Sequence, residues 1–127
     1  MSIVSKISLS KQHIKSFSDV DIHLTSYQQN DINVAHDNIV CCINSIMIFD
    51  KMPAKEFSNY IVYIDEISSF LKDITHNETL RGKLKKCYQI LMKIIQNCHK
   101  LILSDAKITD KVFSFIKCKC NKKILYV

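Results

Sequence analysis

The chain reads as one α/β domain, a parallel sheet with helices on its faces. Short apolar runs without a polar side recur along it, among them IVCC, YIVYI and KLIL. Strands buried on both faces of a parallel sheet look like this. Stretches with helical spacing separate these runs, which is the alternation of βαβ units. At 127 residues, 47% of them hydrophobic, the chain is long enough for one domain with its own core.

In chain order, IVSKI (3–7) starts as a strand, and SLSKQHIKSF (8–17) follows as a helix with Leu9, His13, Ile14 and Phe17 on one face. DIHLTSY (21–27) alternates like a strand, and residues 28–38 are polar, a loop or a helical turn. IVCCINSI (39–46) is β-branched and compact, so it reads as a buried strand. Residues 46–59 form a helical turn and a loop broken by Pro53. YIVYI (60–64) suits a strand covered on both faces, and 67–73 look helical. Over 79–98 the spacing of Leu80, Leu84, Cys87, Tyr88, Leu91, Ile94 and Ile95 predicts the longest helix. KLILSDA (100–106) is a strand with a polar end. ITDKVFSFIKC (108–118) is a helix with Thr109 as its N-cap, and KKILYV (122–127) is a last strand.

Composition narrows the setting. There is one Gly and one Pro, so turns must rely on Asn, Asp and Ser. Arg81 is the only Arg, and the Lys, Ile and Asn bias suggests an AT-rich coding genome. A net charge of +6 favours an anionic partner such as nucleic acid, and equally serves solubility. No apolar run approaches the length of about 18 residues that a membrane span needs. The start, MSIVSKISLSK, is not a signal peptide, so the six Cys are expected reduced, in the cytoplasm or nucleus.

In a parallel sheet, ligands sit beyond the carboxyl ends of the strands. Three predicted strands end there in polar pairs: Asn44 and Ser45, Asp65 and Glu66, Ser104 and Asp105. A strand that delivers two carboxylates to this rim can place one beside Mg²⁺ and the other beside an attacking water. The same pair also suits the first turn of the helix at 67–73, where negative charge meets the positive helix end. Arg81, Lys83, Lys85 and Lys86 form a basic cluster that fits phosphate contact or a solvated helix face. Cys118-Lys119-Cys120 and Cys98-His99 lack the spacing of common zinc ligands.

The ordered segments resemble the first RecA-like domain of herpesvirus-type replication origin-binding proteins, which are DExH/D-box helicases of superfamily 2. IVSKISLS (3–10) looks like motif Ia, and IVCCINSI (39–46) like the strand that leads to a polar residue and Ser. YIVYIDEISSFL (60–71) looks like motif II, the Walker B box, and KLILSDA (100–106) like motif III. The resemblance covers most of residues 3–116 and implies a partial RecA-like domain over 1–127, a three-layer P-loop NTPase-type fold running from motif Ia to motif III.

The resemblance also implies roles. Asp65 would hold Mg²⁺, and Glu66 would polarise the water that hydrolyses ATP. Ser104, Asp105 and Ala106 would relay nucleotide state, while Ser5, Lys6, Asn44 and Ser45 would lie near the DNA backbone. One departure is large. The family's phosphate loop, GxxxxGK[ST], has no counterpart here, since the only glycine is Gly82 in a Lys-rich stretch. The second RecA-like domain is absent too. The chain therefore resembles a helicase fragment, inactive alone, that needs a second chain or domain for the missing parts. Two other readings stay open: a non-enzymatic nucleic-acid-binding or interaction module, and a small helical viral interaction protein.

Overall fold

The computed structural model describes residues 1–4, 7–28, 38–76 and 83–119. Among these residues five parallel strands form one sheet: β1 (Ser2–Val4), β2 (Thr25–Ser26), β3 (Ile39–Cys42), β4 (Ile61–Ile64) and β5 (Lys100–Leu103). Their spatial order is β2-β3-β1-β4-β5. Four helices flank them: α1 (Ile7–Ser18), α2 (Ile67–His76), α3 (Leu84–Asn97) and α4 (Asp110–Lys119). Two 3-10 segments, Ile43–Phe49 and Ala54–Asn59, link β3 to β4. The expected α/β architecture is present. The last expected strand, 122–127, lies outside the described residues.

Strand alternation sorts the core into two layers. Ile3, Cys41, Val62 and Ile64 share a large cluster with Ile67 and Phe70 of α2, Leu91 and Ile94 of α3, and Val112 of α4. Val4, Val40 and Cys42 point the other way, onto Leu9, Ile14 and Phe17 of α1. One helix thus covers one face of the sheet, and three cover the other. Burial of this order is worth about 1.5–3 kcal/mol for each large aliphatic or aromatic side chain. The free thiols Cys41 and Cys87 serve as small hydrophobes in this core. Burial pushes the Cys41 thiol up to about 12, so it is protonated and inert at neutral pH.

Several strands are shorter than their apolar runs suggest. The run 39–46 leaves the sheet after Cys42 and tightens into a 3-10 segment, whose Ile43, Ile46 and Phe49 remain buried. Burial there is satisfied without extended backbone. In the run 3–7 the described strand ends at Val4 and Ile7 already belongs to α1, and 21–27 pairs only at Thr25–Ser26. The expectation that 60–64 is covered on both faces is corrected. Val62 and Ile64 are buried, but Tyr63 is half-buried and Ile61 exposed. The cause is placement: α1 packs on β1, β2 and β3 and leaves that face of β4 and β5 largely bare.

The scarcity of glycine shows at the end of α1. The Ile22 amide donates to the Phe17 carbonyl and the Asp21 amide to that of Ser18, with Asp21 left-handed at φ 61°. This is a Schellman stop with Asp in the place glycine usually takes. At α4, the Val112 amide lies 3.5 Å from Thr109 Oγ1, so Thr109 stands in the N-cap position the sequence predicts.

Candidate functional site at the carboxyl rim

Strand order reverses between β1 and β4. From β1 the chain moves outward to β2 and β3, then crosses to β4 and β5. The crevice beyond the carboxyl ends of β1 and β4 is therefore the switch point, the place where parallel sheets bind ligands. Asp65 sits directly at it.

Asp65 is the hub of a polar cluster. Its Oδ1 accepts from the Ser104 hydroxyl at 2.5 Å and from the Glu66 amide at 2.9 Å. Its Oδ2 faces His13 Nε2 at 3.5 Å. The other ring nitrogen, Nδ1, lies 2.7 Å from Ser2 Oγ. The tautomer that serves both contacts has Ser2 donating to Nδ1 and the Nε2 proton turned to Asp65. Tyr63 OH adds a bond to Ser104 Oγ at 3.1 Å, and its ring packs 5.6 Å from that of His13. Ser2 and His13 are buried, while the Asp65 side chain keeps 36% exposure. Ser104 is brought in by parallel register: Ile64 pairs with Leu103, so the residues that follow each meet.

Charge follows these contacts. Burial opposes ionisation of Asp65, but the Ser104 hydroxyl, the Glu66 amide and His13 outweigh it. Its carboxyl stays below the ordinary value of 3.8. Asp105 is also held low, chiefly because the Ser68 amide donates to its Oδ2 at 2.7 Å. Glu66 is exposed and left-handed at φ 50°. Its carbonyl accepts the first α2 bond, from Phe70. The chain turns from strand to helix within two residues, and Glu66 takes the strained position.

The expected residues divide. Asp65, Glu66, Ser104 and Asp105 converge, with exposed Ala106 just beyond. Asn44 and Ser45 lie on the same rim but follow β3, two strands away, roughly 10 Å at about 4.8 Å per strand. Ser5 and Lys6 lie outside the described residues, as does Arg81. Lys86 of the basic cluster pairs with Asp50 at 2.9 Å, so part of that cluster is structural. Sequence reading missed His13 and Ser2 as members of the site. The sequence spacing puts His13 on the apolar face of its helix, and only the sheet order shows which strand that face meets.

The donor set bears on a metal. Among the described residues no group of three or more His, Cys, Asp or Glu is placed to hold an ion. One carboxylate can still anchor Mg²⁺ when phosphate oxygens and waters complete the shell. Asp65, with an exposed side chain at the switch point, fits that partial role and no fuller one. No helix among the described residues is long and apolar enough to cross a membrane. No family model matches the chain, and no curated protein matches it either.

Proposed function

We propose that the chain is a RecA-like domain of a DNA-associated ATPase related to the replication origin-binding helicases, with no GxxxxGK[ST] phosphate loop among these 127 residues. The observation that carries this reading is the Ser104–Asp65 hydrogen bond at the carboxyl rim. It links the strand end resembling motif II to the one resembling motif III, the two segments expected to sense the nucleotide. The position of Asp65 at the switch point supports the same reading.

In this account Asp65 would hold Mg²⁺ together with ATP. The ion would neutralise phosphate charge. Glu66, exposed beside it, orients the attacking water. Ser104 reports the position of Asp65 to the loop of Asp105 and Ala106. Because Asp105 also holds the first turn of α2, a shift at Ser104 would be felt at the helix. Asn44 and Ser45, farther along the rim, are left to the DNA backbone, together with Ser5 and Lys6. Such contacts are to phosphates and independent of sequence.

A second reading has its own support. Both Asp65 oxygens already face internal partners, Ser104, Glu66 and His13. A carboxylate so engaged suits a non-enzymatic nucleic-acid-binding or interaction module that keeps the fold. The helical alternative loses its premise, since the apolar runs 39–42, 61–64 and 100–103 are strands.

Binding of Mg²⁺·ATP and of single-stranded DNA, measured together, separates the two. The chain alone should bind ATP weakly. Supplied with a polypeptide carrying GxxxxGK[ST], it should gain Mg²⁺-dependent ATP binding that Asp65→Ala removes. DNA affinity that ignores nucleotide under all these conditions favours the interaction module. Tight ATP binding by the chain alone would overturn the argument from the missing loop.

A further inference from the structure

Strand β5 ends the sheet, and among the described residues no strand pairs with its outer edge. The sheet face beside that edge is bare as well. Ile61 and Ile102 point to it, 48% and 44% exposed, on the side where α1 reaches β4 at Tyr63 and packs mainly on β1, β2 and β3. Unpaired backbone donors and acceptors next to exposed isoleucines form a template for another strand. Natural edges are usually blunted by proline, a bulge or an inward charge; β5, with the sequence KLIL, has a single Lys at its start.

We infer that this edge docks a second copy of the chain, β5 against β5, antiparallel about a two-fold axis. Charge favours that occupant. The amino end of β5 carries His99 and Lys100, both exposed. The carboxyl end carries Asp105, with Asp65 and Glu66 just past the adjoining strand and Lys107 as the nearby cation. Antiparallel pairing sets each basic end against the other copy's acidic end, whereas parallel pairing would set like against like. A two-fold axis through Ile102 places Ile102 opposite its own copy on the bare face. It places Leu101 opposite Leu103 on the other face, and Lys100 opposite Ser104, next to Asp105. One patch then complements itself, as an isologous interface requires. A four-residue ladder buries less than the roughly 1,000 Å² of a stable interface, so the dimer depends on concentration. None of this rests on the nucleotide reading.

Ile102→Cys tests the geometry. Directly opposed residues of an antiparallel pair lie about 4.5–5.5 Å apart, within disulfide reach. In a Cys118→Ser, Cys120→Ser background, which removes the exposed Cys118 thiol and the cysteine two residues beyond it, mild oxidation should trap I102C as a dimer. Ile61→Cys, one strand inward, should stay monomeric. Light scattering should show concentration-dependent self-association of the unaltered chain and its loss in Ile102→Lys. If I102K fails to fold, the contrast between the two cysteine variants still decides. A monomer at every concentration overturns the proposal. So does equal cross-linking of I61C and I102C, which would indicate stacked faces rather than joined edges. Amides of β5 that resist exchange equally in dilute and concentrated solution also overturn it, because the chain would then cover its own edge.

Discussion

Asp105 caps the helix that Asp65 and Glu66 introduce. Its Oδ2 accepts the Ser68 amide at 2.7 Å, across 37 residues of sequence. The first turn of α2 is therefore held by the end of the neighbouring strand, and the acidic pair before the helix does not supply the cap. Asp105→Ala should cost about 1 kcal/mol, the usual worth of an N-cap, and Asp105→Asn noticeably less. Urea unfolding measures both. Equal losses for Ala and Asn would show that negative charge at the helix end, rather than an acceptor in place, makes the contribution.

Among the described residues two hold left-handed backbone without being glycine, Asp21 at φ 61° and Glu66 at φ 50°. Their costs differ in meaning. Asp21 closes α1 on the surface, and Asp tolerates this region better than most residues. Glu66 is an ordinary side chain at the rim of the candidate site. Glu66→Gly should stabilise the chain by about 0.5–1 kcal/mol, and Asp21→Gly by less. A destabilised Glu66→Gly in thermal unfolding would mean that the Glu66 side chain makes a contribution larger than the strain.

Much of this fold is legible in the sequence, because parallel strands announce themselves as apolar runs and helices by their spacing. The face Leu9, His13, Ile14 and Phe17 is the one α1 turns inward, and the meeting of Asp65 with Ser104 follows from two such runs being neighbours. What spacing does not encode is strand order. Nothing within YIVYI says that α1 reaches Tyr63 and leaves Ile61 uncovered. Nor does any local pattern reveal that β1 lies between β3 and β4, which separates Asn44 and Ser45 from the acidic pair and brings His13 to it. Strand length is hidden for a related reason: Ile43 and Ile46 are buried as fully as the strand residues before them, and burial alone does not distinguish a strand from a 3-10 turn.

The buried Ser2–His13 pair should behave as a unit. Each side chain satisfies the other at 2.7 Å, away from solvent. Removing one partner orphans the other, at a cost of about 1–3 kcal/mol, while removing both together spares the second penalty. Ser2→Ala and His13→Phe should each destabilise, and the double variant should lose clearly less than the sum. Chemical denaturation of the four proteins completes the cycle. Additive losses would mean that the two are not energetically linked.

Acid stability tests the Asp65–Ser104 contact directly. Asp65 and Asp105 both have folded values below the ordinary 3.8. Near and below pH 4 the unfolded chain therefore binds more protons than the folded one, and stability rises with pH. The stabilisation is complete above the unfolded carboxylate range, about pH 4, and is lost as pH falls through the lower folded values. Ser104→Ala removes the strongest favourable contact of Asp65 while the opposing burial remains. The Asp65 carboxyl should then titrate closer to its ordinary value, visible in side-chain NMR, and the acid dependence of stability should flatten. Asp105, whose cap does not involve the Ser104 hydroxyl, should titrate as before. An unchanged Asp65 titration in Ser104→Ala would remove the hydrogen bond on which the proposed nucleotide relay depends.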